Sequence, residues 1–546
     1  MRILIPLLLL SITGSAQQYP KGIEHVIVIG VDGLSPNGIR KAKTPTLDKM
    51  ISGGAVKWNV RTVLPSSSSS NWGSMIMGAG VEQHGITDND WQKNNNSLPA
   101  IVKNEDDLFP TIFSVLHKQY PAAKIGTAFH WSDFGRLVES SAVSYKKHFS
   151  TEDSTTKAFT QYIETAKPLF AFLHLDHVDH AGHESGHGTE HYFESVTKAD
   201  SLIGEVLKSI KKSGLEKSTL VIVTADHGGI GYGHGGATLE EAEIAMILYG
   251  KGIKSNYEIP EQAATYDLAA TIAFALKTTP PYVWIGRPLK SAFTGFAPPS
   301  NLWTGKSILP KPVINPDRKL YEQSGGLFVN KPAQVSMEAI APDAGIYYTI
   351  DGTDPSRSSP VYKSPFTLNS NTVVKAKSID SKGNESPVNT AYFRVVDSNG
   401  KQGLNVRYYE GADWKYLPVF KDLKPVSEWT SLEVNLAPAR ISAVRKGEAS
   451  FGILFNGFIQ IDTEGEYKFF TSSDDGSKLY IDGNAVVDND GDHGVIERSG
   501  SVKLFKGRHA IAVEYFNGGG GYWIDAFYQG PGIPKQLIPA STLFIK

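Results

Sequence analysis

The sequence contains no cysteine. Disulfides, thiolate metal sites and a cysteine nucleophile are therefore excluded, and any metal must be held by histidine and carboxylates. It has little excess charge of either sign, a formal net −2 over 546 residues. That gives no reason to expect nucleic acid or an anionic membrane as partner. Long apolar runs are missing too, except at the start. There Arg2 precedes an apolar stretch at residues 3–12, followed by the small residues Gly14, Ser15 and Ala16. The pattern predicts a secretory signal peptide over residues 1–16, cleaved after Ala16. It falls short of the roughly 20 apolar residues that a membrane span requires. The expected product has no membrane span and is exported, either secreted or held in the periplasm or at the cell surface.

What is present is globular: 40% apolar and 20% charged residues, in a chain long enough for about three domains. Residues 24–34, EHVIVIGVDGL, form an apolar, β-branched run that suits a central strand buried on both faces, with Asp32 just beyond its C-terminal end. A helix is expected to start at Thr44-Pro45 and stop at Gly53-Gly54. Further strand-like runs at 123–129, 169–175 and 219–224 alternate with helix-period segments such as 190–209. Alternation of this kind predicts an α/β domain over residues 20–295 with a mostly parallel sheet. Residues 296–325 are rich in Pro and polar residues and read as a linker, with Leu302 and Trp303 expected to pack back onto the first domain. Beyond it, alternating apolar and polar residues with Asp-Gly and Asp-Pro turns predict a small β-sandwich at 326–397 and a second all-β unit at 402–546.

Three stretches carry chemistry. LPSSSSSNWGSMIMGAGVEQHGI, residues 64–86, sets five serines against a small-residue, helix-competent segment. That is either a flexible linker or an exposed nucleophile backed by a helix N-terminus. LHLDHVDHAGHESGHG follows the strand ending near Leu175 and brings Asp176, His177, Asp179, His180, His183 and His187 close together. TADHGGIGYGHGG follows the strand 219–224 with Asp226, His227 and His234. For Asp179, His183, Asp226, His227 and His234 as a set, metal ligation by imidazole and carboxylate is the natural explanation, and that donor mix suits zinc. For His177 and His187 a plain surface role is as good an explanation.

Taken in order, VDG at 31–33, TPTLDKM at 44–50, the serine run with NWGSM, GVEQHGI at 80–86, D-x-x-G-H at 179–183 and ADHGG at 225–229 resemble the alkaline phosphatase superfamily. The resemblance is closest to its nucleotide pyrophosphatase/phosphodiesterase branch. It implies a doubly wound α/β fold holding two Zn²⁺ ions, one on Asp179, His183 and His234, the other on Asp32, Asp226, His227 and the nucleophile. Counting back three positions from Asn71 puts that nucleophile on Ser68, within the run Ser66 to Ser70. Most of the branch has Thr there. The resemblance further implies that Asn71 donates to a non-bridging phosphate oxygen and that a phospho-Ser68 intermediate forms on a phosphate ester or nucleotide-type substrate.

Family monoesterases place a Lys and an Arg near the strand equivalent to 123–129; here AFHWSDFGRL, residues 128–137, has no such pair. Trp131 and Phe134 are either a platform for an organic group, as in the diesterases, or core residues, and Arg136 keeps a phosphomonoesterase open. A sulfatase is disfavoured, because neither the Pro nor the Arg of its Ser-x-Pro-x-Arg pattern follows any of these serines.

Residues 346–368 resemble the β-sandwich at the C-terminus of chitobiase and hexosaminidase-type enzymes. Residues 471–483 and 514–532 resemble the protective-antigen-type β-sandwich of bacterial glycosidases and yeast adhesins, and in the adhesins paired aspartates bind Ca²⁺ and a sugar. Asp474 and Asp475 occupy that place, as a calcium and glycan site or as part of a structural spacer. The expected activity is therefore that of an exported two-zinc phosphodiesterase. The competing expectation is a surface glycan-binding protein with an inactive phosphatase-like domain.

Overall fold

The computed structural model describes residues 18–545, apart from residues 304, 306–307, 318–322, 342, 399 and 447–449. The expected signal peptide, residues 1–16, lies outside the described residues.

The first domain is built on an eight-stranded sheet. Its strands in chain order are β1 (His25–Val31), β2 (Ala55–Arg61), β3 (Ile125–Phe129), β4 (Tyr145–His148), β5 (Phe170–Leu175), β6 (Thr219–Thr224), β7 (Glu243–Gly250) and β8 (Tyr257–Glu258). They lie side by side as β4-β3-β5-β1-β6-β7-β2-β8. Every pairing is parallel except those of β7 with β6 and β2. β1 sits between β5 and β6, and all its residues after His25 are buried, which explains its unbroken apolar sequence. Each Val or Ile buried there contributes about 1.5–3 kcal/mol.

Two groups of helices pack on this sheet. Pro45–Gly53, Glu152–Ala166 and Glu190–Lys212 form one group, and Ser68–Met77, Ile112–Gln119 and Asp267–Ala275 the other. The long helix Glu190–Lys212 shows why. Thr189 caps it by accepting from the Tyr192 N–H, and Val196, Ala199, Ile203, Val206 and Ile210 recur at helical spacing and are buried. The serine run is no linker: Ser68, Ser69 and Ser70 open a helix whose ten residues are all buried.

Two antiparallel-rich β domains follow. The smaller packs a four-stranded and a three-stranded sheet around Ile314, Val335, Met337, Val374 and Phe393. The larger packs a seven-stranded and a four-stranded sheet around Val406, Phe455, Val513 and Trp523. A buried Arg394–Glu433 pair, Nε to Oε1 2.9 Å, joins these two domains.

The stretch expected as a linker is partly built into the middle domain. Val313–Asn315 pairs antiparallel with Ala333–Glu338, and Ile314 is fully buried. Alternation over three residues is too short to be read as a strand from sequence. Trp303 is a second departure: it is 87% exposed, and its carbonyl accepts from Gln262 Nε2 of the first domain at 2.7 Å. No helix among the described residues is long and apolar enough to cross a membrane.

Candidate active site

The C-terminal ends of β1, β5 and β6 converge with the N-terminus of the helix Ser68–Met77. Asp32 follows β1 and is 1% exposed. Its Oδ2 accepts from Trp72 Nε1 at 3.0 Å and lies 3.2 Å from His174 Nε2. Its Oδ1 has no donor and faces His227 Nε2 at 3.3 Å. Asp226, just after β6, accepts the Gly33 N–H on Oδ1 at 3.2 Å and turns an undonated Oδ2 toward the same Nε2, also at 3.2 Å. Ser68 Oγ stands 3.2 Å from that nitrogen as well.

The other serines of the run are engaged differently. Ser66 Oγ donates to Gly236 O and accepts the Gly235 N–H, Ser67 Oγ meets Ser70 Oγ, and Ser69 Oγ accepts from Arg136.

The second group is Asp179, His183 and His234, whose ligating atoms lie within 4.8 Å of one another. Asp179 and His183 come from the helix His177–Ser185, where a four-residue spacing puts both on one face. Asp179 Oδ2 is 3.1 Å from His183 Nε2 and 3.8 Å from His234 Nε2. Asp179 also joins Asp32 and His227 within the same limit, so the two groups adjoin. His177 belongs to neither group.

The imidazoles are oriented alike. Nδ1–H donates to a backbone carbonyl in each: His227 to Gly228 O at 2.8 Å, His183 to Tyr232 O at 2.6 Å, His234 to Ser66 O at 3.0 Å. In a neutral ring that leaves the Nε2 lone pair facing carboxylate oxygens. Lone pair against carboxylate is repulsive unless a cation or a proton lies between them.

The titration directions show the same tension. Burial, with Asp32 and Asp179 nearby, pushes Asp226 well above the usual carboxylate range. Burial also opposes ionisation of Asp179, but His183 and His234 outweigh it and hold that carboxyl well below its ordinary value. Asp179 in turn raises His183 to about 9. Buried carboxylates with undonated oxygens, ringed by basic nitrogens and free of thiols, fit a zinc-type divalent ion.

Several expected site residues sit elsewhere than the sequence suggested. Asn71 is fully buried and spends its amide on the chain leading into the helix. Its Oδ1 accepts the Val63 N–H at 2.8 Å, and its Nδ2 donates to Ser67 O at 3.1 Å and Pro65 O at 3.2 Å. It braces the serine run and has no exposed donor for a phosphate. Phe134 is fully buried, packed edge-on against Trp72 and against Phe172, and is a core residue rather than a platform. Trp131 remains half-buried, beside Arg136. Arg136 is committed to Asp133 Oδ2 at 3.2 Å, Ser69 Oγ at 2.9 Å and Asn89 O, so its guanidinium braces the loop.

Asn89 escaped the sequence reading. Its Oδ1 accepts the Ser69 N–H at 2.8 Å, which fixes the amide beside Ser68. The only signal was an Asn in the polar turn after GVEQHGI.

Tyr232 lies between His227 and His234 in sequence, and its ring is 2% exposed within the core of the C-terminal domain. It stacks on Tyr522, 6.3 Å between centroids, and tilts against Trp523 at 5.8 Å. The C-terminal domain thus grips the loop that carries the metal-type histidines. Asp474 and Asp475 lie on that domain. Asp475 accepts the His493 and Gly518 N–H groups, at 2.9 and 2.8 Å. Burial, and then Asp475 itself, raise Asp474 to about 8.

Comparison with known proteins agrees with the succession of domains. Residues 26–239 match the type I phosphodiesterase / nucleotide pyrophosphatase family, residues 323–390 the chitobiase/beta-hexosaminidase C-terminal domain, and residues 400–541 the PA14 domain. Ectonucleotide pyrophosphatase/phosphodiesterase family member 3 of Rattus norvegicus is 23% identical over 228 residues, covering 39% of this chain and 26% of that protein. Bis(5'-adenosyl)-triphosphatase ENPP4 of Bos taurus is 26% identical over 212 residues, covering 37% of this chain and 47% of that protein. The chain therefore spans about a quarter of the first relative and about half of the second. Among solved structures, murine ectonucleotide pyrophosphatase/phosphodiesterase 5 aligns with a TM-score of 0.41 at 15% identity, over 47% of this chain and 96% of that one.

Proposed function

We propose that this chain, a type I phosphodiesterase/nucleotide pyrophosphatase domain followed by a chitobiase-type and a PA14 domain, is a zinc-dependent phosphoester hydrolase that prefers diesters. One observation supports this above all: three imidazoles with Nδ1–H tied to backbone carbonyls turn Nε2 toward buried carboxylates, His183 and His234 toward Asp179 Oδ2 and His227 toward the undonated Asp32 Oδ1 and Asp226 Oδ2, with Ser68 Oγ in the same cluster. Asp179, His183 and His234 would hold one ion, and Asp32, Asp226, His227 and Ser68 the other. Two bound zinc ions supply the positive charge that phosphoryl transfer asks for and favour the ionised Ser68 hydroxyl.

Ser68 Oγ gives its proton to water and bonds to phosphorus as the bond to the leaving oxygen breaks; that oxygen departs with the bonding electron pair and takes up a proton from water. Water then attacks the phosphoseryl group, the P–Oγ bond breaks, and Ser68 regains its proton. Asn89, its Oδ1 pinned by the Ser69 N–H, offers Nδ2 to a non-bridging phosphoryl oxygen in the role that the family resemblance implies for Asn71. Trp72 and His174 hold Asp32 Oδ2 in position. Commitment of the Arg136 Nη atoms to Asp133, Ser69 and Asn89 holds that guanidinium away from the extra charge of a monoester, which favours a diester or pyrophosphate such as a nucleotide. Trp131 is the remaining candidate platform for the organic group.

Residues 1–16 read as an export signal, and the product works outside the cytoplasm. Asp474 and Asp475, which burial leaves poorly suited to bearing charge alone, offer oxygen ligands to Ca²⁺ and through it to a glycan. The deciding assay is hydrolysis of bis-p-nitrophenyl phosphate beside p-nitrophenyl phosphate by zinc-loaded protein, with Ser68→Ala as control. Faster diester turnover, abolished by Ser68→Ala, is expected. Faster monoester turnover makes the protein a phosphatase, and full activity of Ser68→Ala rules out Ser68 as nucleophile.

A further inference from the structure

His187 lies outside both ligand sets, yet its side chain is only 3% exposed and neither ring nitrogen has a hydrogen-bond partner. A buried polar atom left unpaired gives up its hydration for no hydrogen bond in return, so an imidazole kept this way calls for a reason. It is also held in a built slot. The His187 N–H donates to Gly231 O at 2.7 Å, and the ring lies between Gly182 and Gly229. A Cβ on Gly182 would stand 2.4 Å from ring atoms and one on Gly229 2.3 Å. Both glycines have ordinary backbone angles, so the ring's space is what excludes a side chain there.

Across the slot, His187 Nε2 faces Asp179 Oδ1 at 3.7 Å. That oxygen is itself buried and without a donor, while its twin Oδ2 faces His183 and His234. His187 is in neither of the groups that could hold an ion among the described residues. An N–H on Nε2, by contrast, satisfies both orphaned atoms at once after a closure of less than 1 Å to ordinary hydrogen-bond length.

We infer that His187 is a positioning residue of the metal centre: its Nε2–H takes Asp179 Oδ1 and aims Oδ2 at the ion shared with His183 and His234. The inference rests on the proposed metal-dependent function. Outer partners of this kind set how firmly a carboxylate serves its ion, and losing one lowers metal affinity about 10–100-fold.

The test is His187→Phe, which fills the slot and removes both nitrogens. Zinc binding is titrated against a chromophoric chelator, and thermal stability is measured on the metal-free protein. One zinc equivalent is expected to weaken about 10–100-fold and the other to hold, with metal-free stability unchanged or raised. A ring present only for packing would show neither a change in zinc affinity nor a gain in stability. His187→Gln, which keeps an N–H donor, is expected to recover part of the affinity, and His187→Ala gives the same titration should the phenyl ring prevent folding. Unchanged zinc affinity in these variants overturns the role of His187 and leaves the proposed function standing. Failure of the unmodified protein to take up zinc overturns both.

Discussion

Replacing Tyr232 by Ala will weaken the centre from the far side of a domain boundary. The Tyr232 ring is 2% exposed in the core of the C-terminal domain, between Tyr522 and Trp523. Its own carbonyl takes the His183 Nδ1–H at 2.6 Å. Burial of a ring of this size contributes about 3 kcal/mol, and truncating it costs about 3–5 kcal/mol once the cavity is included. Three kcal/mol corresponds to a factor of about 10² in the opening equilibrium of the loop, since 1.4 kcal/mol is tenfold. Amide exchange over residues 228–236 should therefore accelerate by about that factor. Zinc affinity at Asp179, His183 and His234 should fall about 10–100-fold, because the carbonyl that orients His183 is no longer held. Tyr232→Phe keeps the ring and should keep most of both. If Tyr232→Ala leaves loop exchange and chelator competition unchanged, the C-terminal domain is not a support of the metal centre.

Three further outcomes are expected. Asn89→Ala should lower kcat/KM for a diester about 10²–10³-fold, the usual loss of one donor to a developing charge, with zinc content unchanged. Asn71→Ala should instead lower the melting temperature, since it deletes the hydrogen bonds to Val63, Pro65 and Ser67; the reverse pattern would restore Asn71 as the phosphate donor. His84 supplies a pH dependence: its Nε2–H donates to Ser74 Oγ at 2.8 Å, and burial pushes it from 6.5 down to about 3. Between those values the unfolded chain binds the proton and the folded one does not. Stability is then complete above pH 6.5 and declines as the pH falls toward 3, by up to about 1.4 kcal/mol per unit. Urea midpoints across that window should fall less steeply for His84→Gln, and equal slopes would remove His84 as the cause.

Much of the centre was legible because its chemistry is local. Asp32 and Asp226 each stand at the end of an apolar run, Asp179 and His183 share a helix face through a four-residue spacing, and glycines mark the turns that follow. Asn71 and Asn89 show where legibility stopped. Both are asparagines in polar surroundings near Ser68, and nothing in residue type or spacing says which amide is spent on the backbone and which stands free. Phe134 and Arg136 are similar cases: an aromatic and a cation beside a strand end suit a binding platform, but the first is enclosed by Trp72 and Phe172 and the second by Asp133, Ser69 and Asn89.

By itself, then, the sequence determined the kind of site: which donors are available, that none is a thiol, and that they gather where parallel strands end. These follow from composition and from periodicities a few residues long. The tertiary structure decided how each donor is occupied. His187 acquired meaning only when Gly182 and Gly229 opened a slot facing Asp179, and Tyr232 only when its ring entered a core built from residues nearly three hundred positions away. Hydrogen-bond satisfaction and close packing are properties of what lies opposite a side chain. What lies opposite is set by how the sheets and domains assemble, not by a residue's neighbours in the chain.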